Sequence, residues 1–161
     1  MTSLYLYRNV LRNLLVITAS MTLMACSSVN LPIFSASRVQ LRSIELSVTD
    51  KVNEGRPLNV DFVAVNGDHL TKQLENLTSA QWFADKQRWI KKNPGKLFIW
   101  PVNIVADSHT TIKDIPLYGR PASKVIIFAD YQSKGAHRLE LDHTLRHPKL
   151  EFRNDDAYLF E

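Results

Sequence analysis

The sequence is short of the residues on which several classes of protein depend. Its 161 residues include one cysteine, five glycines and seven prolines. A single cysteine excludes an intramolecular disulfide framework and a cysteine-rich metal site. So few glycines and prolines exclude a collagen-like or low-complexity chain. With 45% hydrophobic and 22% charged residues, the composition instead suits one globular domain.

A large excess of one charge sign is also missing. The chain carries 20 Lys and Arg against 16 Asp and Glu, and two of the basic residues, Arg8 and Arg12, lie in its first segment. The remainder has 18 basic against 16 acidic residues, which does not indicate a nucleic-acid-binding protein. The sequence has neither clustered glycines for a phosphate loop nor a G-x-S-x-G motif. We therefore predict no cofactor and no enzymatic activity.

The one cysteine stands at the end of an uncharged segment. Arg8 and Arg12 precede an uncharged run from residue 14 to residue 25. The run is too short for a transmembrane helix, which needs about 20 apolar residues, and is typical of a signal peptide. The sequence Leu23-Met24-Ala25-Cys26-Ser27 resembles a bacterial lipobox, in which the peptide is cut just before the cysteine and the cysteine is acylated.

This resemblance divides the chain into three parts. Residues 1–25 are the predicted signal peptide, residues 26–37 the acylated N-terminus and tether, and residues 38–161 the folded domain. Acyl chains on Cys26, at about 0.8 kcal/mol per buried CH₂, would hold the protein at a membrane. Ser27, in place of an aspartate, resembles the signal for outer-membrane sorting. An ordinary signal peptide with an incidental cysteine, or an uncleaved anchor, is the alternative.

Alternating apolar residues predict several β-strands in the folded part. Residues 58–65 form such a strand, and residues 125–129, the most apolar run, predict a central one. Pro101 predicts that its strand lies at a sheet edge or carries a bulge. Two further strands are expected to pair across the loop at residues 143–148, and one strand closes the chain; the residues concerned are Leu139 and Leu141, Leu150 and Phe152, and Tyr158 and Phe160.

The first strand changes phase along its length. Ile44, Leu46 and Val48 share one face, whereas Val39 and Leu41 fall in the opposite phase. A bulge or bend near Arg42 would reconcile the two sets.

Helical spacing interrupts the strands between residues 70 and 92. Leu70, Leu74 and Leu77 form one helical stripe, and Ser79 is the predicted cap of a second helix. On that helix Trp82, Phe83, Trp89 and Ile90 share a face. We interpret this face as core, with a platform for carbohydrate or a protein partner as the alternative. About seven to eight strands around a short helical insertion predict a mainly β protein, a β-sandwich.

Two histidines deserve a test as metal ligands. His143 and His147 are four residues apart, beside Asp142, and on a helix they would share a face. The segment lies between two predicted strands and is followed by Pro148, which favours a loop. We therefore predict no metal site.

The connection between the first two strands is a candidate interaction site. It is polar, mixed in charge and longer than a hairpin turn, and it consists of Asp50, Lys51, Val52, Asn53, Glu54, Gly55 and Arg56. We expect its charged rim to orient a protein partner and Val52 to supply an apolar centre. A solvated loop tip without a partner is the alternative.

The order of these features is similar to that in the outer-membrane lipoproteins of type VI secretion systems, the SciN/TssJ group. At the level of residue identity, two short stretches resemble that group: Asn53-Glu54-Gly55-Arg56-Pro57, and residues 77–84, Leu-Thr-Ser-Ala-Gln-Trp-Phe-Ala. It extends to the order of elements over most of residues 38–161. The sequence departs from that group in Val60–Ala64, where an Arg and a Tyr are usual.

This resemblance implies a transthyretin-like β-sandwich without catalysis, lipid-anchored at the periplasmic face of the outer membrane. The first inter-strand loop, here residues 50–56, would bind the periplasmic domain of an inner-membrane component in a trans-envelope complex. Two other functions stay open. One is another non-enzymatic envelope lipoprotein, such as a secretin pilot or assembly factor, and the other is a lipid-anchored enzyme or ligand-binding module.

Overall fold

Two four-stranded sheets pack face to face in the computed structural model, which describes residues 37–160. The elements are β1 (Ser43–Val48), β2 (Leu58–Val65), α1 (Asp68–Leu74), α2 (Ser79–Lys92), β3 (Leu97–Ile104), β4 (Ser108–Lys113), β5 (Lys124–Ala129), β6 (Arg138–Asp142), β7 (Lys149–Phe152) and β8 (Ala157–Phe160). The first sheet has the order β4-β1-β7-β8 and the second the order β3-β2-β5-β6. The predicted β-sandwich with a helical insertion is confirmed. Neither described helix is long and apolar enough to cross a membrane.

Strand β2 is buried on both faces because it lies between two apolar layers. Its residues Val60 and Phe62 belong to the core between the sheets, together with Ile44 and Leu150 from the first sheet. Val63 points the other way and packs with the helices. Alternation in β2 therefore separates two cores, with Val60 and Phe62 in one and Val63 in the other.

The two helices cover the outer face of the second sheet. Trp82 is fully buried and stacks on Phe128 of β5, with ring centroids 4.9 Å apart. Phe83 and Trp89 are partly buried against the same cluster. The interpretation of this face as core is therefore confirmed for Trp82, whereas Phe83 and Trp89 lie at its margin.

Helix α2 begins at Ser79, so its N-cap lies one residue before the predicted one. Thr78 is the N-cap: its Oγ accepts from Gln81 N at 3.2 Å, and Thr78 N donates to the Gln81 side chain at 2.9 Å. Ser79, predicted as the cap, instead uses its hydroxyl to donate to the His137 carbonyl and to accept from Ala129 N at 3.0 Å. The reciprocal hydrogen bonds of Thr78 and Gln81 form a capping box, which explains why the helix starts at Ser79.

Two predictions about pairing and length were wrong. Strand β6 pairs with β5, and β7 pairs with β1 and β8, so Leu139 and Leu141 do not face Leu150 and Phe152 across a hairpin. Helix α1 ends at Leu74, so Leu77 lies beyond it and contacts the helical cluster from the connecting segment. The sequence analysis also missed β4, a polar strand that pairs antiparallel with β1.

Three local predictions are confirmed. Strand β3, which contains Pro101, is an edge strand, and β5 is central. Near Arg42 the backbone is irregular: Arg42 N and Ser43 N both donate to the carbonyl of Arg146, at 2.9 and 3.2 Å. Two successive amides on one carbonyl are what a bulge produces.

The sandwich has two ends with different loops. At the entry end, where the described chain begins, Gly119 N donates to Val39 O and Gln40 N to His143 O. We define the entry end as residues 37–42, 66–68, 93–96, 113–123 and 142–148. The opposite end, here called the loop end, comprises residues 49–57, 105–107, 130–137 and 153–156.

Candidate functional site

The predicted interaction loop lies at the loop end and divides into an exposed and a buried part. Asp50, Lys51, Glu54, Gly55 and Arg56 are exposed. Val52 has no exposed surface and Asn53 is 2% exposed. The expectation that Val52 supplies an apolar centre for a partner was therefore wrong, because Val52 belongs to the core between the sheets.

The loop contains a tight left-handed turn. Asn53 has φ 48° and ψ 41°, Glu54 has φ 58° and ψ 32°, and Gly55 has φ 77°. Left-handed conformations cost roughly 1–2 kcal/mol for an ordinary residue, and they occur as single residues. Asparagine and glycine tolerate them, whereas a glutamate is strained there. Glu54 therefore stores conformational strain, and such strain clusters at functional sites.

Asn53 holds the turn to the neighbouring loops. Its Nδ2 donates to Pro57 O at 3.1 Å, and its Oδ1 accepts from Gln132 N at 2.8 Å. Its backbone N donates to Asn154 O at 3.2 Å. One buried residue therefore connects three segments that are distant in sequence. The exposed residues on either side of it are presented on a fixed frame.

Tyr131 joins the 130–137 loop to residues 153–156, a segment that Asn53 also contacts. Its hydroxyl lies 3.0 Å from the carbonyl oxygens of both Arg153 and Asp156. Burial raises the pKa of Tyr131, and the nearby charges of Asp156 and Asp155 raise it further. The phenol is therefore protonated at all physiological pH values and remains a hydrogen-bond donor to these carbonyl groups.

A serine, a histidine and an aspartate meet nearby, which invites comparison with a hydrolytic triad. His137 Nε2 lies 2.9 Å from Ser133 O and 3.3 Å from Ser133 Oγ, and its Nδ1 lies 3.4 Å from Asp156 Oδ1. A nitrogen that donates to the closer carbonyl has no lone pair left to take a proton from the hydroxyl. The arrangement thus serves to hold the 130–137 loop, and we assign it no catalytic role.

Val105 is a large apolar residue that is exposed at the loop end. It follows β3 and is 69% exposed. With Gly55, Arg56, Pro57, Ile104 and Ala106 it lines a shallow cavity of about 190 Å³. The sequence alone does not distinguish Val105 from Ile104, because two adjacent apolar residues have the same pattern although one is exposed and the other buried. Only the structure places it beside the left-handed turn.

The remaining predicted sites have simple outcomes. Cys26 lies outside the described residues, so its acylation stays a prediction. His147 Nδ1 lies 2.8 Å from Ser43 Oγ, and His143 lies 3.6 Å from Asp142. Within residues 37–160, no three His, Cys, Asp or Glu side chains are grouped as a metal site would require.

Solved structures share this fold at low sequence identity. The T6SS lipoprotein TssJ1 from Pseudomonas aeruginosa matches with a TM-score of 0.59 and 14% identity, over 75% of this chain and 95% of that one. Lip from Serratia marcescens, a membrane-bound component of the type VI secretion system, matches with a TM-score of 0.53 and 11% identity, over 74% and 95%. A chain in a structure described as the T6SS protein TssM C-terminal domain from EAEC matches with 0.58 and 10%, over 74% and 97%.

These likenesses show that the chain has a TssJ-like β-sandwich fold. No family model matches the sequence, and no curated protein matches it either. The match covers nearly all of each solved chain.

Proposed function

We propose that this protein is a lipoprotein component of a type VI secretion trans-envelope complex. Acyl chains on Cys26 anchor it to the periplasmic face of the outer membrane. The loop end binds the periplasmic domain of an inner-membrane component, and the protein performs no catalysis. The TssJ-like fold and the lipobox-like segment support the membrane assignment.

The left-handed turn at Asn53, Glu54 and Gly55 carries the assignment of the binding surface. A loop without a function has no need of Glu54 at φ 58°, since a glycine there would relieve the strain. The buried contacts of Asn53 maintain the turn in the free protein. The loop is therefore preorganised, and preorganisation lowers the entropy lost on binding.

The surface around the turn has the composition of an interface. Val105 offers an exposed apolar centre beside Arg56, and Lys51 and Glu54 lie on the exposed rim of the loop. Apolar residues at the centre of an interface supply affinity, whereas rim charges set orientation and association rate. Val105, and not Val52, is therefore the apolar centre of the proposed interface.

The position of the loop end suits a partner from the opposite membrane. Strand β2 has eight residues, and at about 3.3 Å per residue it separates the two ends of the sandwich by roughly 25 Å. A domain tethered at its entry end presents its loop end away from the anchoring point. A partner arriving from the inner membrane meets this end.

A binding experiment tests the proposal. It measures the affinity for the purified periplasmic domain of the inner-membrane component encoded in the same gene cluster. We expect Val105→Asp to weaken the affinity at least tenfold, because it places a charge at the apolar centre. Phe160→Asp is the matched control, since Phe160 is 44% exposed but lies on β8 outside the loop end. We expect its affinity to equal that of the wild type.

A second variant examines the rim. Replacing Lys51, Glu54 and Arg56 together by alanine leaves Val52 and Asn53 in place, so folding should persist. We expect slower association and a weaker salt dependence of binding. Wild-type affinity in both this variant and Val105→Asp would show that the partner binds elsewhere on the domain.

A further inference from the structure

We propose that the entry end binds the phosphate groups of anionic phospholipids and so holds the domain in one orientation on the membrane surface. The identity of that membrane rests on the proposed function. The described residues make the contact, and acylation of Cys26 would raise the local concentration of headgroups.

Exposed basic residues concentrate at the entry end. Six Lys and Arg occur in its segments against three acidic residues; the basic residues are Arg38, Arg42, Lys96, Lys113, Arg120 and Arg146, and the acidic ones Asp68, Asp114 and Asp142. The loop end has the reverse balance, with four against six; these are Lys51, Arg56, Lys134 and Arg153, and Asp50, Glu54, Asp107, Asp130, Asp155 and Asp156. The charge of the domain is therefore separated along its long axis, with the positive end at the start of the described chain.

Several of these guanidinium groups are held in place. Arg38 Nη1 donates to Gly119 O at 2.8 Å, and Arg42 Nη2 donates to the Tyr118 hydroxyl at 3.1 Å. Arg42 also lies over the Tyr118 ring, with Cζ 5.2 Å from the centroid, and Arg120 lies over the Phe98 ring at the same distance. Stacked guanidinium groups keep free N–H donors in a fixed plane, which suits recognition of phosphate oxygens.

One of the nearby carboxylates is engaged by its own loop. Asp142 Oδ1 accepts from Thr144 Oγ1 at 2.6 Å and from Thr144 N at 2.9 Å. These hydrogen bonds lower the pKa of Asp142. Its charge is therefore directed into the turn at residues 142–145.

The same end offers an amphipathic surface. Tyr118 is 48% exposed, and together with Leu41, Arg42, Asp114 and Ile115 it lines an open cleft of about 420 Å³. Tyrosine beside arginine is the pairing found at the boundary between membrane and water, where the ring contacts the apolar layer and the cation contacts phosphate. This favours a lipid headgroup over a free anion.

The predicted acyl anchor brings lipid headgroups close to the entry end. Residues 26–37 lead directly to Arg38, and a fully extended segment of that length reaches about 40 Å at most. An acylated Cys26 would therefore keep the entry end within this distance of the lipid surface. At such a distance the local concentration of headgroups is high enough for weak electrostatic contacts to be occupied.

Vesicle sedimentation tests the inference without the acyl chains. The protein used is the chain from residue 26 onward with Cys26→Ser, which retains every described residue of both apolar cores. We expect it to sediment with vesicles of equal parts phosphatidylcholine and phosphatidylglycerol at low salt. It should not sediment with vesicles of phosphatidylcholine alone. Free inorganic phosphate, added to the anionic vesicles, is the competitor control.

Charge-matched variants locate the contact. Replacing Arg42, Arg120 and Arg146 by glutamine should weaken binding to the anionic vesicles about 100-fold, at about fivefold for each cation. The control replaces Lys51, Arg56 and Lys134 at the loop end by glutamine and should bind as the parent does. A third variant changes the same three arginines to lysine. If this variant melts at the wild-type temperature and still binds the anionic vesicles, the positive charge decides the effect.

The outcomes separate this inference from the proposed function. Equal losses in the two glutamine variants, or no sedimentation of the parent chain, would overturn the headgroup contact. Retention on purified peptidoglycan but not on vesicles would also overturn it. A failure of the proposed anchor appears instead in the mass of the N-terminal peptide, and a failure of the proposed partner appears in the binding experiment with Val105→Asp.

Discussion

Trp82 Nε1 donates a hydrogen bond of 2.9 Å to Asp61 Oδ2, and both side chains are buried. Lys86 Nζ lies 2.7 Å from the same oxygen and is 25% exposed. Asp61 is on β2 and the other two residues are on α2, so one carboxylate fastens the helix to the outer face of the second sheet. Since a buried carboxylate needs partners, this polar contact specifies where the helix lies.

Trp82→Ala should lower the free energy of unfolding by about 3–5 kcal/mol, because it creates a cavity against Phe128 and removes the donor to Asp61. Trp82→Phe retains most of the apolar volume and should cost less, about 1–3 kcal/mol, chiefly for the lost hydrogen bond. Urea unfolding measures both values. Trp89→Ala is the control at the cluster margin, and an equal loss there would show that burial does not decide the effect.

The two non-glycine residues of the left-handed turn should respond in opposite directions. Glu54→Gly should leave stability unchanged or raise it by about 1 kcal/mol, since glycine adopts positive φ without strain. Asn53→Ala should lower stability by about 1–3 kcal/mol, because Gln132 N loses its acceptor and alanine is strained at φ 48°. Thermal unfolding distinguishes the two, and a destabilised Glu54→Gly would show that the glutamate itself supports the turn.

Lys124 should stabilise the fold in a pH-dependent manner. Its Nζ lies 2.9 Å from Glu140 and 2.7 Å from Glu75. The hydrogen bond to Glu140 contributes most, and that to Glu75 next, to raising the pKa of Lys124 above 10.5. A raised pKa means that the stabilisation is complete below the unfolded value of 10.5 and is lost as pH rises through the higher folded value.

Lys124→Met tests this by thermal melting. At neutral pH and low salt the variant should be less stable by about 0.5–1 kcal/mol, and the difference from the wild type should shrink at high pH and in high salt. Arg88→Met provides the comparison, since Arg88 is exposed and 3.9 Å from Asp85. A difference for Lys124 that grows with pH would contradict the assigned direction.

Cys26→Ser should prevent acylation and release the protein from the outer-membrane fraction, or leave it uncleaved. The domain should still fold, since one cysteine forms no internal disulfide. Membrane fractionation and the mass of the N-terminal peptide measure these effects. Normal outer-membrane fractionation of the variant would disprove the anchor.

The strands that could be predicted from sequence are those with an apolar face of their own. In β2 and β5 most residues of both faces are apolar, with Asp61 the buried exception, because the first sheet covers one face and the helices the other. Strand β4 has a single half-buried apolar residue, Ile112, among polar neighbours. Its structure depends on pairing with β1, and a partner distant in the chain leaves no local signal.

The binding surface shows the same division. The sequence by itself determined that residues 50–56 form a polar loop of mixed charge, since local composition decides what is solvated. Only the tertiary structure decided that Val52 is buried while Val105 is exposed. It likewise decided that Asn53 connects to Gln132 and Asn154. Two valines in loops have the same intrinsic preference, and long-range packing alone determines which of them reaches the core.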